Sequence, residues 1–162
     1  GRGVILVKNI RQLVHGRVLI FACSPLFPPA HSLIDFLRAL ATRGVQVDVV
    51  STAPLSEELS SSVSEFASTI IRIKNIGRDF GSYQAGVNYL KGELGLDRIT
   101  RLIFMNDSLY FLRNAKTDTL INCLLDDAND YCGANENFEF RYHVGSFLFS
   151  VSSKVINSES FQ

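Results

Sequence analysis

The sequence has no net charge to offer a partner: sixteen Lys and Arg balance sixteen Asp and Glu over 162 residues. A balanced chain presents no general polyanion-binding surface, so nucleic acid is not an expected partner. Cysteine is scarce. Cys23, Cys123 and Cys132 are odd in number, far apart, and form no CxxC pair, which excludes metal-finger and dithiol redox motifs. Three reduced, buried thiols in a cytosolic protein are expected. No apolar run approaches the roughly 18 residues of a membrane span. The stretch 4–23 is broken by Lys8, Arg11 and Arg17, and the same breaks deny it a signal-peptide core. The expected location is the cytoplasm, including a peripheral position at the inner face of the membrane. No glycine fingerprint follows the first strand, where "ACSPLFPP" stands, and no Walker loop occurs, so a dehydrogenase-type domain and a P-loop NTPase are set aside. Repeats, low-complexity tracts and linkers are also missing. The length suits one domain. With Gly1 at one end and "VINSESFQ" at the other, a single domain over 1–162, truncated at both ends, is expected.

What is present is an ordinary core composition, 46% hydrophobic and 20% charged. The run "RVLIFAC" (17–23) has strand length and no alternation, as suits a strand covered on both faces. Pro25, Pro28 and Pro29 enforce a loop. Leu33, Ile34, Leu37, Leu40 and Ala41 then fall on one helix face, and Gly44 stops that helix. "VQVDVVS" (45–51) reads as a strand. "LSEELSSSVSEFA" reads as a water-facing helix with Leu55, Leu59, Val63 and Phe66 on its stripe. "TIIRIK" (69–74) is a third strand, and helical spacing returns from Gly81 to about Leu94. "RLIFMN" (101–106) is a fourth strand. A helix near 118–127 and strand-like pieces at "YCGA" and "SFLFSV" complete the order, with residues 1–16 unassigned. Strands alternating with helices predict an α/β fold: a mainly parallel, Rossmann-like sheet flanked by helices.

In such sheets ligands sit beyond the carboxyl ends of the strands. Those ends are polar or small here: Cys23–Ser24, Ser51–Thr52, 75–79 and 106–108. The stretch "NIGRDFGSY" (75–83) has two readings. In one, Gly77 turns the chain with positive φ, Asp79 caps the next helix near Gly81 or Ser82, and Tyr83 packs on the sheet. In the other, the helix N-terminus faces an anion, Arg78 forks onto a diphosphate, Asp79 accepts from a ribose hydroxyl or base imide, and Gly81 lets a ligand approach the backbone. "FMNDSLY" likewise reads as an Asx turn ending a strand, or as Asn106, Asp107 and Ser108 presenting oxygen ligands to Mg2+ or Mn2+. His143 stands as a hydrogen-bonded structural histidine or as a ligand. His15 and His31 read as surface residues, Glu136 and Glu139 as solvated loop charge or a general base, and Asp126, Asp127 and Asp130 as a polar helix end.

Asn75, Gly77, Asp79, Phe80, Gly81, Ser82 and Tyr83, followed by Asn106, Asp107, Ser108 and Tyr110, resemble motifs of the rhamnan synthesis protein F family. "YCGA" and then Tyr142, His143, Ser146, Phe147 and Phe149 resemble that family's later block. The similarity runs through most of 17–155 in the expected order. It implies a GT-A-like glycosyltransferase domain of the rhamnosyltransferase kind, acting in cell-surface polysaccharide synthesis. The implied substrates are a nucleotide-sugar donor and a glycan or lipid-linked acceptor. On that mapping Ser24, Ser51, Asn75, Gly77, Arg78, Asp79, Gly81, Asn106 and Ser108 hold the donor. Asp107 holds a divalent ion or the donor diphosphate, and His143 is a further ligand or lines the sugar site. Two departures are plain. Cys23 and Ser24 replace the family's "AHYD"-like stretch, and the triplet 106–108 carries one carboxylate where relatives carry Asp-x-Asp. A non-catalytic sugar- or nucleotide-binding module is the alternative.

Overall fold

The computed structural model describes residues 3–13, 16–24, 31–109, 111–112, 114–134, 136–137, 143–144 and 147–161. For Arg78, 136–137 and 143–144 it describes the backbone alone. The proline loop of Pro25, Pro28 and Pro29 lies outside these residues, as do His15, Tyr110, Glu139, Tyr142 and Ser146, and the side chains of Arg78, Glu136 and His143.

The strands are β1 (Val4–Asn9), β2 (Gly16–Cys23), β3 (Gln46–Ser51), β4 (Ala67–Ile73), β5 (Ile99–Asn106), β6 (Tyr131–Gly133), β7 (Glu136–Asn137), β8 (His143–Val144) and β9 (Leu148–Ser152). The helices are α1 (His31–Thr42), α2 (Glu57–Ser64), α3 (Arg78–Glu93), α4 (Ala115–Leu125) and α5 (Ser153–Ile156). Seven strands form one sheet in the order β1-β4-β3-β2-β5-β9-β6, and β7 pairs with β8 apart from it. The four central strands are parallel to one another. β1 joins β4 antiparallel, and β9 joins both β5 and β6 antiparallel. The sheet is therefore mixed, with the expected parallel part at its centre.

Two apolar layers enclose those central strands. One holds Leu19, Phe21, Val47, Val49, Ile103 and Met105 under α1, α2 and α4. The other holds Val18, Ile20, Val50, Ile71, Leu102 and Phe104 under α3 and α5. Every residue of β3 is buried, although its sequence alternates: Gln46, Asp48 and Ser51 are enclosed along with the valines. Helix starts follow local chemistry. The Ser56 hydroxyl accepts from the Leu59 N–H at 3.1 Å and caps α2, and Asn114 caps α4 by accepting from the N–H groups of Lys116 and Thr117. β1, β7, β8 and α5 are missing from the sequence reading, and of these β1 is the one that adds a strand to the main sheet. Exposed along its whole length, it has no alternation to announce it. Among the described residues no helix is long and apolar enough to cross a membrane.

The thiols need a correction. Cys123 on α4 and Cys132 on β6 form a disulfide with Cα atoms 6.2 Å apart, inside the reach such a bond requires. Only Cys23 is free, and it is buried. The pair lies nine residues apart, so no short spacing signalled it; the turn between α4 and β6 brings the two together. Arg101, wholly buried on β5, fixes that turn. Its Nε donates to the Leu124 carbonyl at 2.7 Å, and its Nη1 donates to the Asn129 carbonyl.

α3 also departs from expectation. It begins at Arg78, three residues before the expected start, because Gly77 at φ 81° serves as its N-cap. Gly81 is needed for packing: a Cβ there would lie 1.8 Å from the Ile76 carbonyl oxygen. The backbone that approaches Gly81 here is that of Ile76. Gly81→Ala is expected to destabilise the fold by more than about 3 kcal/mol in urea denaturation. Gly92→Ala, further along α3 with open space around it, is expected to gain up to about 1 kcal/mol.

Under the far end of α3 lies a polar cluster. Asp48 is wholly buried on β3 and accepts from the Gln46 amide at 3.1 and 3.3 Å. The Tyr89 hydroxyl donates to Asn9 at 2.6 Å and, with Glu93, faces the same cluster. Burial raises the Asp48 carboxyl from 3.8 to about 6, against hydrogen bonds from Gln46 and Thr69. The folded chain thus keeps a proton that the unfolded chain releases. Stability is full below pH 3.8 and falls as pH rises to about 6. The ionised group then costs roughly 3 kcal/mol at neutral pH. Relative to Asp48→Asn, the protein should gain about that much between pH 7 and pH 4; denaturation at both pH values measures it, and equal slopes would contradict the buried charge.

Candidate functional site

From β2 the sheet extends outward through β3 and β4 on one side and turns to β5 on the other. The carboxyl ends of β2 and β5 therefore flank the point where strand order reverses, which is where open α/β sheets leave a crevice. The sequence places Cys23 and Ser24 after β2, and Asn106, Asp107 and Ser108 after β5. α3 begins just beyond β4 and brings Asp79 to the same edge.

Three hydrogen bonds join these pieces. The Ser24 N–H donates to Asp107 Oδ2 at 2.8 Å. The Asn106 side-chain amide donates to Asp79 Oδ2 at 2.8 Å, while its oxygen accepts from the Ser108 N–H at 3.1 Å. Asn106 is 1% exposed, so both ends of its amide are committed inside the protein. Asp79 and Asp107, separated by 28 positions in sequence, stand at one rim. Neither forms a salt bridge among the described residues. A cavity of about 220 Å3 beside them is lined by Cys23, Ser24, Thr52, Asn75, Asp79 and Ser82.

Electrostatics separate the groups by role. Burial raises the Asp107 carboxyl above its usual range; hydrogen bonds from backbone N–H groups at Ser24 and Asp107 oppose this, and the Asp79 charge adds to it. Burial pushes the Cys23 thiol up to about 12, against a hydrogen bond with Ser51 and with a further push from Asp107. Such a thiol stays protonated and is no nucleophile at neutral pH. Burial also raises the Tyr83 hydroxyl, with Asp79 and Asp107 adding to the effect.

Of the residues expected to hold a donor, Ser24, Asn75 and Asp79 line the cavity, and Asn106 and Asp107 bond directly to that lining. Ser108 is exposed and contributes its N–H to Asn106. Ser51 does not itself line the cavity: its hydroxyl donates to the Ala53 carbonyl at 2.5 Å, closing the turn after β3, and is hydrogen-bonded with the Cys23 thiol of the lining. Gly77 and Gly81 serve the helix start. Asp79 does not cap α3, because the N-cap is Gly77 and lacks a side-chain hydrogen bond; its carboxylate turns to Asn106 instead. Thr52 and Ser82 are the lining residues that no role had been given. Ser82 follows Asp79 by three positions, one helical turn, which was the available signal.

Among the described residues no three His, Cys, Asp or Glu side chains come together as a metal site. Two carboxylates do share the rim. That number suffices for magnesium when substrate phosphates complete its shell. The oxygen donors therefore fit Mg2+ or Mn2+ jointly with a phosphate-bearing ligand, not as a closed protein cage.

Fold and rim define an α/β domain with a mixed sheet and a polar site at its topological switch point. No family model matches the chain. It is 31% identical over 100 residues to the virulence protein VirA of Vibrio anguillarum (strain ATCC 68554 / 775), covering 61% of this chain and 31% of that protein. It is 30% identical over 134 residues to an uncharacterized protein, y4gN, of Sinorhizobium fredii (strain NBRC 101917 / NGR234), covering 80% of this chain and 34% of that one. The chain thus spans about a third of the length of the curated relatives it matches.

Asn106→Ala would leave the Asp79 carboxylate and the Ser108 N–H without their partner. A loss of about 2 kcal/mol is expected, read from the urea midpoint; an unchanged midpoint would show that the bridge carries no weight.

Proposed function

We propose that this chain is the nucleotide-sugar-binding part of a GT-A-like glycosyltransferase, of the kind implied by its resemblance to rhamnan synthesis protein F. The observation that carries the reading is the meeting of Asp79, Asn106, Asp107 and Ser24 at the switch point through hydrogen bonds of 2.8 Å. The virulence role named for VirA specifies no chemistry.

The roles follow from charge and position. The N-cap of α3 is Gly77, which has no side chain to compete for the first turn, and the positive end of a helix favours a phosphate. Asp107 is an anion and cannot itself neutralise a leaving diphosphate. With Asp79 it would hold a divalent ion whose charge stabilises that leaving group. Asn106 keeps Asp79 in place, and the Ser24 N–H fixes Oδ2 of Asp107. Ser24, Thr52, Asn75 and Ser82 supply the neutral polar lining that a ribose or sugar hydroxyl requires. A glycan or lipid-linked acceptor would complete the reaction.

A second reading, a non-catalytic sugar- or nucleotide-binding module, draws on the single carboxylate of the triplet 106–108 and on Cys23 and Ser24 standing where the family carries a His. Asp107→Asn separates the two in the full-length parent: lost turnover marks the enzyme, altered affinity alone the module.

Thermal melts with UDP- and dTDP-sugars, with and without Mn2+, test the proposal. A ligand at a hundredfold excess over Kd adds about 2.7 kcal/mol, or roughly 5–10 °C for a domain of this size. The Mn2+-dependent part should vanish in Asp107→Asn. A folded chain with a flat response to the whole panel would sink the reading.

A further inference from the structure

β4 carries a guanidinium with no partner among the described residues; Nε of Arg17 is the other buried donor without an acceptor, but Asp127 partners that guanidinium. The guanidinium groups of Arg11, Arg17, Arg38, Arg43 and Arg101 each donate to a carbonyl, amide or carboxylate. Arg72, half-buried on β4, makes no hydrogen bond or ion pair among the described residues, and its buried Nε is without an acceptor. Buried donors are nearly always satisfied, so an exception needs a reason. Arg72 is also placed at the edge that bears the candidate site. It pairs in register with Ser51, and Ser51 with Cys23. Two strand spacings separate Arg72 from Cys23, about 10 Å, a span that a nucleoside diphosphate lying along the rim covers. Alternation puts Arg72 on the sheet face of Ile70, which packs against the layer under α1 and α2. Asp79 and Asp107, at the same edge, are both acidic, so they give a phosphate no direct counter-charge.

We propose that Arg72 is an anion-binding residue of this rim, whose guanidinium takes a phosphoryl group of the ligand. The planar fork of Arg matches phosphate oxygens in pairs. The assignment deepens the proposed function and rests on it only for the source of the phosphate. Arg78, the arginine singled out from sequence, is a separate residue on α3.

Thermal melts of wild type, Arg72→Met and Arg72→Lys, alone and with millimolar inorganic pyrophosphate, test it, with NaCl matched for ionic strength. Without ligand, Arg72→Met should melt at the wild-type temperature or up to about 3 °C above it, since an unsatisfied donor has been removed. Pyrophosphate should raise the wild-type melting temperature by several degrees, leave Arg72→Met unmoved, and give Arg72→Lys less than half the wild-type shift. The inference is overturned if Arg72→Met melts more than about 5 °C lower, which would make the guanidinium part of the folded core. It is equally overturned if Arg72→Met keeps the full pyrophosphate shift, or if wild type shows none beyond the NaCl control. A pyrophosphate response lost in Arg72→Met beside a flat nucleotide-sugar panel would keep the anion site and remove the glycosyltransferase reading. An undiminished nucleotide-sugar shift in Arg72→Met would do the reverse.

Discussion

One amide, that of Asn106, holds the candidate site together. It reaches Asp79 on α3 with its nitrogen and the turn after β5 with its oxygen. It is itself almost wholly buried, and replacing it leaves a half-buried carboxylate and an N–H without their partner. The bridge thereby converts two independent chain segments into one rim, and it works only because β5 and α3 are each rigidly seated. β5 lies between β2 and β9, and α3 packs Tyr83 and Leu90 into the layer beneath it.

The same sheet carries polar groups at both ends, with different consequences. At the carboxyl edge, Asp107 and Asp79 sit beside a cavity, where a ligand or ion can answer their charge. At the other end, Asp48 is sealed beneath α3 with only neutral donors, and its charge is a burden on the fold. Arg101 is sealed too, yet carbonyl oxygens and a serine satisfy it, so it organises the turn that the Cys123–Cys132 disulfide also closes. Burial alone does not decide what a charged group does. The partners that the fold supplies decide it.

The central strands were legible in the sequence because β2 and β5 are apolar runs, β4 is a β-branched run and β3 alternates, each bounded by polar or glycine-containing turns. Helices α1 and α2 were legible from their stripes; the Ser56 cap of α2 emerged only from the structure. β1 was not, since an edge strand open on both faces has no period to detect. The start of α3 was misplaced because Gly77 opens the helix earlier than the apolar spacing suggests. At the site, the four strand-end clusters were legible from topology alone. The roles of Ser51 and Gly81 were not: one hydroxyl closes its own turn, and one missing Cβ makes room for the Ile76 carbonyl. The disulfide escaped because nothing in a nine-residue spacing tells whether the chain doubles back.

By itself the sequence determined an alternating α/β chain with small and polar residues at the ends of its parallel strands. Those are local properties, set by side-chain volume, periodicity and turn chemistry. Only the tertiary structure decided which of those polar residues meet, which are spent on their own turns, and that the buried Nε of Arg72 meets no acceptor among the described residues. Pairing across 27 positions, as between Asn106 and Asp79, depends on strand order and helix placement. Both are settled by how two apolar layers close on one sheet, and neither is encoded in any short stretch of the chain.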